Sequence, residues 1–299
     1  MRTVPVRRVV AGSLVAALIG TGCGSGSDSG ASGRPTVVVT TSVLGDVVRN
    51  LVGDAADVAV VMPRGSNPHD FAPSARQIDE LRSADAVVQN GLGFEVGLLD
   101  VIRAAERDGT TVITAADGVT PLGGDPHFFT DPRRMRDAAA HVARALEERL
   151  PALATSTVRQ RTSAYLAQLD ALDRRVAAIL AAVPAPRRAL VTNHEVFRYF
   201  ADRYGFRIVG AVIPSGTTLA EPSASGLEDL AQAIERTGVP AIFADTSAPT
   251  RLADALAAEG AGVTVVTLYS ESLGAAGSDG ATYLDMIRTD AERIAAALR

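Results

Sequence analysis

A single cysteine in 299 residues, Cys23, leaves this chain without an internal disulfide and without a thiolate metal cluster. There is no tryptophan, and aromatic residues make up only 4% of the chain. Its core must therefore be built from aliphatic side chains, with much alanine in helices. Positive charge is not in excess: the formal net charge is -5. Such a balance offers no basic face to a phosphate backbone and argues against nucleic acid as a partner. Histidine is also scarce, with four in the whole chain, and three of these sit in distinctive local contexts.

The N-terminus reads as a targeting segment. Arg2, Arg7 and Arg8 form a positive region ahead of the apolar run Val9–Ile19, which Gly12 and Ser13 interrupt. That run is too short for a spanning helix and reads as a signal peptide. Gly20-Thr21-Gly22-Cys23 resembles a bacterial lipobox, in which the signal is cut before Cys23 and its thiol carries lipid. From Gly24 to Pro35 the chain is rich in glycine and serine and cannot pack, as expected of a flexible tether.

Beyond the tether, short apolar runs alternate with amphipathic ones. The pattern predicts strands at Thr36–Thr40, Val58–Met62, Ala86–Val88 and Thr111–Thr114, with helices at Val43–Leu51, Ser74–Leu81 and Phe94–Ala105 between them. A helix follows from Pro132 to Leu150. Val158, Tyr165, Leu169, Leu172, Val176 and Ile179 recur at helical spacings and predict a long strut over Ser156–Ala182, with no polar residue of functional type on its apolar face. The first pattern then returns. Strands are expected at Ala189–Thr192, Arg207–Ile213, Ala241–Phe243 and Val263–Leu268, and helices at His194–Tyr204, Gly226–Arg236, Thr250–Glu259 and Ala281–Leu298. The expected fold class is α/β: two domains with central, mostly parallel sheets, joined by one long rigid helix. The corresponding division is a signal over 1–22, a tether over 23–35, domains over 36–151 and 184–299, and a linking helix over 152–183.

Asn67-Pro68-His69, Asp125-Pro126-His127 and Asn193-His194-Glu195 place three imidazoles in separate connections, each near the end of an apolar run. Ligands gather at the carboxyl ends of strands in open α/β sheets, and imidazole is the commonest protein metal ligand. One metal site where the two halves meet would collect all three. Each also has a plainer reading. His69 could be an exposed loop residue, His127 a helix cap, and His194 a residue in a capping turn whose N-cap is Asn193. His141 lies inside the Pro132–Leu150 helix and reads as structural. A tetrahedral Zn²⁺ site needs a fourth ligand. Glu271, after the strand ending at Leu268, and Asp245, after Ala241–Phe243, are the two candidates.

Three local motifs resemble the cluster A-I solute-binding proteins, the metal-binding lipoproteins of bacterial zinc and manganese ABC importers. They are Asn67-Pro68-His69-Asp70-Phe71-Ala72-Pro73-Ser74, then Asp125-Pro126-His127-Phe128-Phe129-Thr130-Asp131-Pro132, then His194-Glu195-Val196-Phe197-Arg198-Tyr199-Phe200 followed by Tyr204-Gly205. The resemblance runs from about Thr36 to Arg299. Two departures stand out: Phe129 stands near where tryptophan is usual, and Glu271, ahead of Thr282-Tyr283, stands where the family has aspartate. The resemblance implies metal in the interdomain cleft, held by His69 and His127 from the first domain and His194 and Glu271 from the second. It also implies a monomer tethered by lipid to the extracytoplasmic face of the membrane, delivering a transition-metal ion to an ABC transporter permease subunit. Three imidazoles with one carboxylate suit Zn²⁺; Mn²⁺, which prefers harder oxygen ligands, is the alternative cargo. Many zinc carriers of the family have a histidine-rich loop before the second ligand, and Gly118–Gly124 contains no histidine. A zinc hydrolase using Glu195 or Asp245 as base is the rival from another class, and a surface adhesin is a third. No His-Glu-x-x-His motif is present.

Overall fold

The fold was analysed in a computed structural model, which describes Met1 and residues 33–299 apart from 260 and 261. The signal, Cys23 and most of the tether lie outside the described residues. Among those described, no helix is long and apolar enough to cross a membrane.

From Arg34 onward the chain forms one compact unit containing two α/β lobes. The first begins with β1 (Thr36–Val39), a beta-branched run that enters α1 (Ser42–Val52) through the Thr41 cap, whose hydroxyl accepts the Leu44 amide. There follow β2 (Asp57–Val60), α2 (Ala75–Ser83), β3 (Ala86–Gln89), α3 (Leu99–Arg107), β4 (Thr111–Thr114) and α4 (Pro132–Arg149). A capping box between Ser74 and Gln77 fixes the start of α2, and Pro132 opens α4 behind the Asp131 cap.

Next comes α5 (Ser156–Leu180), 25 residues that at a rise of 1.5 Å each span about 37 Å. It packs against α4 and α1. The second lobe contains β5 (Ala189–His194), α6 (Arg198–Tyr204), β6 (Arg207–Ile213), α7 (Ala224–Thr237), β7 (Ala241–Asp245), α8 (Arg251–Glu259), β8 (Thr264–Leu268) and α9 (Tyr283–Leu298). The last of these also packs on α5.

Both sheets are wholly parallel and have the same strand order: β2-β1-β3-β4 and β6-β5-β7-β8. Helical crossovers are what parallel neighbours require. In each sheet the order reverses beside the first strand of the lobe. That reversal opens a crevice at the carboxyl ends of the strands. One apolar cluster runs without a break from Val37 through Tyr165 to Leu298, so the long helix shares a core with both lobes.

Two details of α5 differ from the sequence reading. Leu180 is buried where Ile179 is only partly so. Asp173 is also buried on this helix, where its carboxylate accepts from Arg203 Nε at 2.8 Å and from the Tyr204 hydroxyl at 3.1 Å. The buried face of the strut therefore carries an ion pair to α6.

Candidate metal centre

His69 lies in the connection after β2, between Pro68 and Asp70, and its backbone amide donates to Asn67 Oδ1 at 3.0 Å. His127 lies in the connection between β4 and α4. Its amide donates to Asp125 Oδ1 at 2.9 Å, and its Nδ1 lies 2.7 Å from the same oxygen. The Tyr199 hydroxyl, from α6, donates to the Asp125 carbonyl at 2.7 Å and accepts the Leu122 amide at 3.0 Å. The second lobe thus supports the loop of the second histidine.

His194 is not at a helix start. It is the last residue of β5, in register with Ile213 of β6, and α6 begins only at Arg198. Asn193 is therefore a strand residue, not an N-cap. The six residues of β5 are all buried, and the ladder to β6 continues through the histidine because the surrounding core covers it.

The three histidines and Glu271 meet in the crevice. Nε2 of His69, His127 and His194 lie 2.7, 3.2 and 3.0 Å from Glu271 Oε1. Ligand atoms from all four side chains fall within 4.8 Å of one another. Ring centroids of the three imidazoles are 5.5 to 5.8 Å apart, packed edge to face. Phe94 covers two of them, with its ring 5.4 Å from His69 and 5.6 Å from His127. None of the four side chains is more than 3% exposed.

Three imidazole nitrogens and two carboxylate oxygens form an oxygen- and nitrogen-rich pocket inside an apolar shell. Bonds of roughly 2.0–2.1 Å to a central Zn²⁺ would place tetrahedral ligand atoms roughly 3.3 Å apart. The three Nε2–Oε1 separations, 2.7 to 3.2 Å, fall at or somewhat below that edge. Glu271 Oε2 has no hydrogen-bond partner among the described residues, so a buried carboxylate keeps a lone-pair face directed at no protein donor. Such a group is costly unless something positive meets it.

The electrostatics reflect the crowding. Burial would raise the Glu271 carboxyl, but the imidazoles of His127, His194 and His69 hold it well below the usual range. Burial would lower the His127 imidazole, yet Asp125 and Glu271 outweigh that and raise it to about 9. Asp125 accepts Nδ1–H, so once Nε2 gives up its proton its lone pair faces inward, the arrangement a metal-binding imidazole needs.

Asp245 is not in this group. It caps the end of β7, where Oδ1 accepts the Ser247 hydroxyl at 2.6 Å and Oδ2 accepts the Ser270 hydroxyl. Burial, then the charge of Glu271, raises its carboxyl. Glu195 is exposed. His141 sits on α4 against Gly118, where an added Cβ would meet its own at 2.5 Å.

Sequence reasoning passed over Phe94 and Glu95. Glu95 is fully buried and accepts the Thr40 hydroxyl at 2.7 Å together with the Asn90 and Gly91 amides. It thereby fixes the turn that sets Phe94 over His69 and His127. The available signal was Asn90-Gly91-Leu92-Gly93 directly after a strand.

The profile of the ZnuA family, described as zinc-uptake complex component A, periplasmic, matches residues 37–297. The chain is 32% identical over 285 residues to the zinc-binding protein TroA of Treponema pallidum (strain Nichols), spanning 91% of each chain. It is 27% identical over 293 residues to the manganese-binding lipoprotein MntA of Halalkalibacterium halodurans, spanning 95% of this chain and 96% of the other. The solved structure of the periplasmic zinc binding protein TroA from Treponema pallidum superposes with a TM-score of 0.83 at 31% identity, over 89% of this chain and 99% of that one.

Proposed function

Because the chain belongs to the ZnuA family of periplasmic zinc-uptake components, we propose that His69, His127, His194 and Glu271 together hold one Zn²⁺ as cargo. The protein is an extracytoplasmic solute-binding protein of a bacterial metal ABC importer, and its family consists of transport proteins, not enzymes. The observation that carries the ligand assignment is the convergence of three buried Nε2 atoms on one carboxylate oxygen.

Imidazoles that shed their proton on binding and an ionised carboxylate favour Zn²⁺, and the carboxylate fills the corner that a hydrolytic zinc keeps open for water. Mn²⁺ is the second reading. A relative is named for manganese, and Glu271 offers two hard oxygens. Lipid on Cys23, with a tether over 23–35, would hold the protein at the membrane. There a monomer, divided at 36–151, 152–183 and 184–299, hands the ion to a permease subunit.

The test is a chelator-competition titration of the metal-stripped protein. One Zn²⁺ per chain is expected, and Glu271→Ala should weaken binding by more than about 100-fold, beyond what loss of a supporting residue does. Wild-type affinity in that variant would remove Glu271 from the site. Zn²⁺ outcompetes Mn²⁺ at most nitrogen and oxygen sites, so the cargo is decided in cells. Rescue of a deletion strain by added zinc supports zinc; rescue by manganese alone reassigns it.

A further inference from the structure

β8 ends at Leu268 and α9 starts at Tyr283, and Glu271 lies early in the connection between them. The anchors of that connection change lobes around it. Ahead of Glu271 they belong to the second lobe: the Tyr269 amide donates to Asp290 Oδ1 at 2.9 Å, and the Ser270 hydroxyl donates to Asp245 Oδ2. Immediately behind Glu271 they belong to the first, although farther on Asp279 returns to the second, accepting from the Tyr269 hydroxyl at 2.7 Å, the Thr289 hydroxyl at 2.6 Å and Arg293 Nη2 at 2.9 Å. The Leu273 amide donates to Ser42 Oγ at 3.1 Å, and the Gly65 amide donates to Ser272 Oγ at 2.8 Å. The Ser42 and Ser272 hydroxyls lie 3.1 Å apart. Arg64 donates from Nη1 to two carbonyls, Gly274 at 2.7 Å and Ala281 at 2.6 Å. The Tyr283 amide closes the series by donating to Asp46 Oδ2 at 2.9 Å.

The stretch that Arg64 grips is a closed turn. The Gly274 amide donates to the Gly280 carbonyl at 2.9 Å, and the turn lies so tightly on Tyr269 that a Cβ at Gly280 would come 2.4 Å from its ring. Arg64 also precedes His69 in the same connection after β2. One guanidinium therefore joins the loop of the first histidine to the loop of the carboxylate, through hydrogen bonds that its charge strengthens.

Resting on the reading of Glu271 as a ligand, we propose that Arg64, backed by Ser42, is a positioning residue: it latches the Glu271 loop to the first lobe and sets the rate at which the metal leaves. A carboxylate whose two flanks are bonded to different lobes must move relative to the histidines when the lobes shift. His194, fixed in a strand, has no such double attachment. A permease that draws the lobes apart would pull first on Glu271, and the strength of the latch decides how readily that pull succeeds. Arg64 does not touch the cage, so its influence must pass through Glu271.

That requirement gives the test. Zn²⁺ dissociation into excess chelator is followed in wild-type protein, Arg64→Ala, Glu271→Ala and the double variant. Loss of two charge-assisted hydrogen bonds should speed release about ten-fold in the wild-type background. With Glu271 already gone, the same change should have almost no effect. Arg64→Lys, reaching one carbonyl, should fall between, and it carries the test if Arg64→Ala does not fold. Equal acceleration in both backgrounds makes Arg64 a general structural residue and overturns the latch. So does unaltered release in Arg64→Ala and Arg64→Lys when Glu271→Ala releases fast. Wild-type release from Glu271→Ala instead overturns the ligand assignment, and the latch with it.

Discussion

In the first lobe both imidazoles of the site project from connections; in the second, His194 is the last residue of β5. The sheets behind them have the same strand order, so topology alone does not decide how a side chain is held. His194 is aimed by strand register and by the burial of every residue in β5. Its Nδ1 has no hydrogen-bond partner among the described residues. His127 has no strand to aim it and relies on Asp125, which takes both its amide and its Nδ1. A strand-borne ligand is oriented by the backbone, and a loop-borne ligand by a partner side chain. The second arrangement can be damaged by a single substitution outside the cage.

Outside the four cage residues, the largest expected effect exploits that difference. Asp125→Ala should lower Zn²⁺ affinity by about 10- to 100-fold, the usual consequence of freeing a ligating imidazole from its carboxylate. Competition titration measures it. Thr192→Val removes the hydroxyl that donates to the His194 carbonyl at 2.7 Å, and should change affinity little, because β5 still aims the ring. Equal losses in the two variants would break the comparison between the lobes.

A second substitution separates the shared framework from the site. Asp173 joins α5 to α6 through Arg203 and Tyr204. Asp173→Ala leaves the guanidinium and hydroxyl without their acceptor and should cost about 2 kcal/mol of folding stability. Zn²⁺ affinity should be nearly unchanged, since the strut's ion pair lies outside the cage. Thermal unfolding of the metal-free chain, set beside the titration, checks both halves. A large affinity loss would mean that α5 transmits strain into the crevice.

Much of this arrangement was legible in the sequence, and the gaps share a cause. Alternating beta-branched and amphipathic runs marked all eight strands, because the strands of a parallel sheet, buried in β1, β3, β5 and β7 and half-buried at the edges, leave compact apolar segments. The stripe Val158, Tyr165, Leu169, Leu172 and Val176 marked the long helix, and the structure buries each of them. His69, His127, His194 and Glu271, drawn from four distant segments, do converge. What stayed hidden depends on tertiary partners. Asn193 looks like a helix cap until β6 pairs beyond it. Asp173 resembles any polar helix residue until Arg203 arrives. Arg64 binds backbone carbonyls, which every residue possesses, so its target has no sequence signature.

The smallest effect concerns the boundary between those supports. Asp131 caps α4, accepting the Arg133 amide at 2.8 Å, and is 3% exposed. Burial raises its carboxyl to about 6 despite that amide and the charges of Arg203 and Arg134. A folded acid that holds its proton more tightly than the unfolded chain gains stability as pH falls. The gain begins as pH drops through about 6 and is complete below the ordinary 3.8. Ionised Asp131 therefore weighs against the fold at neutral pH. Asp131→Asn keeps a capping oxygen and removes the charge. It should raise stability near pH 7 by on the order of 1 kcal/mol and flatten the dependence between pH 6 and 4. Urea unfolding of the metal-free chain across that range reads both quantities. A steeper slope in the variant would mean that the Arg203 and Arg134 charges outweigh burial here. The first lobe would then hold its histidine loop by ion pairs, as α5 holds α6, and the contrast between the two lobes would narrow to the strand that carries His194.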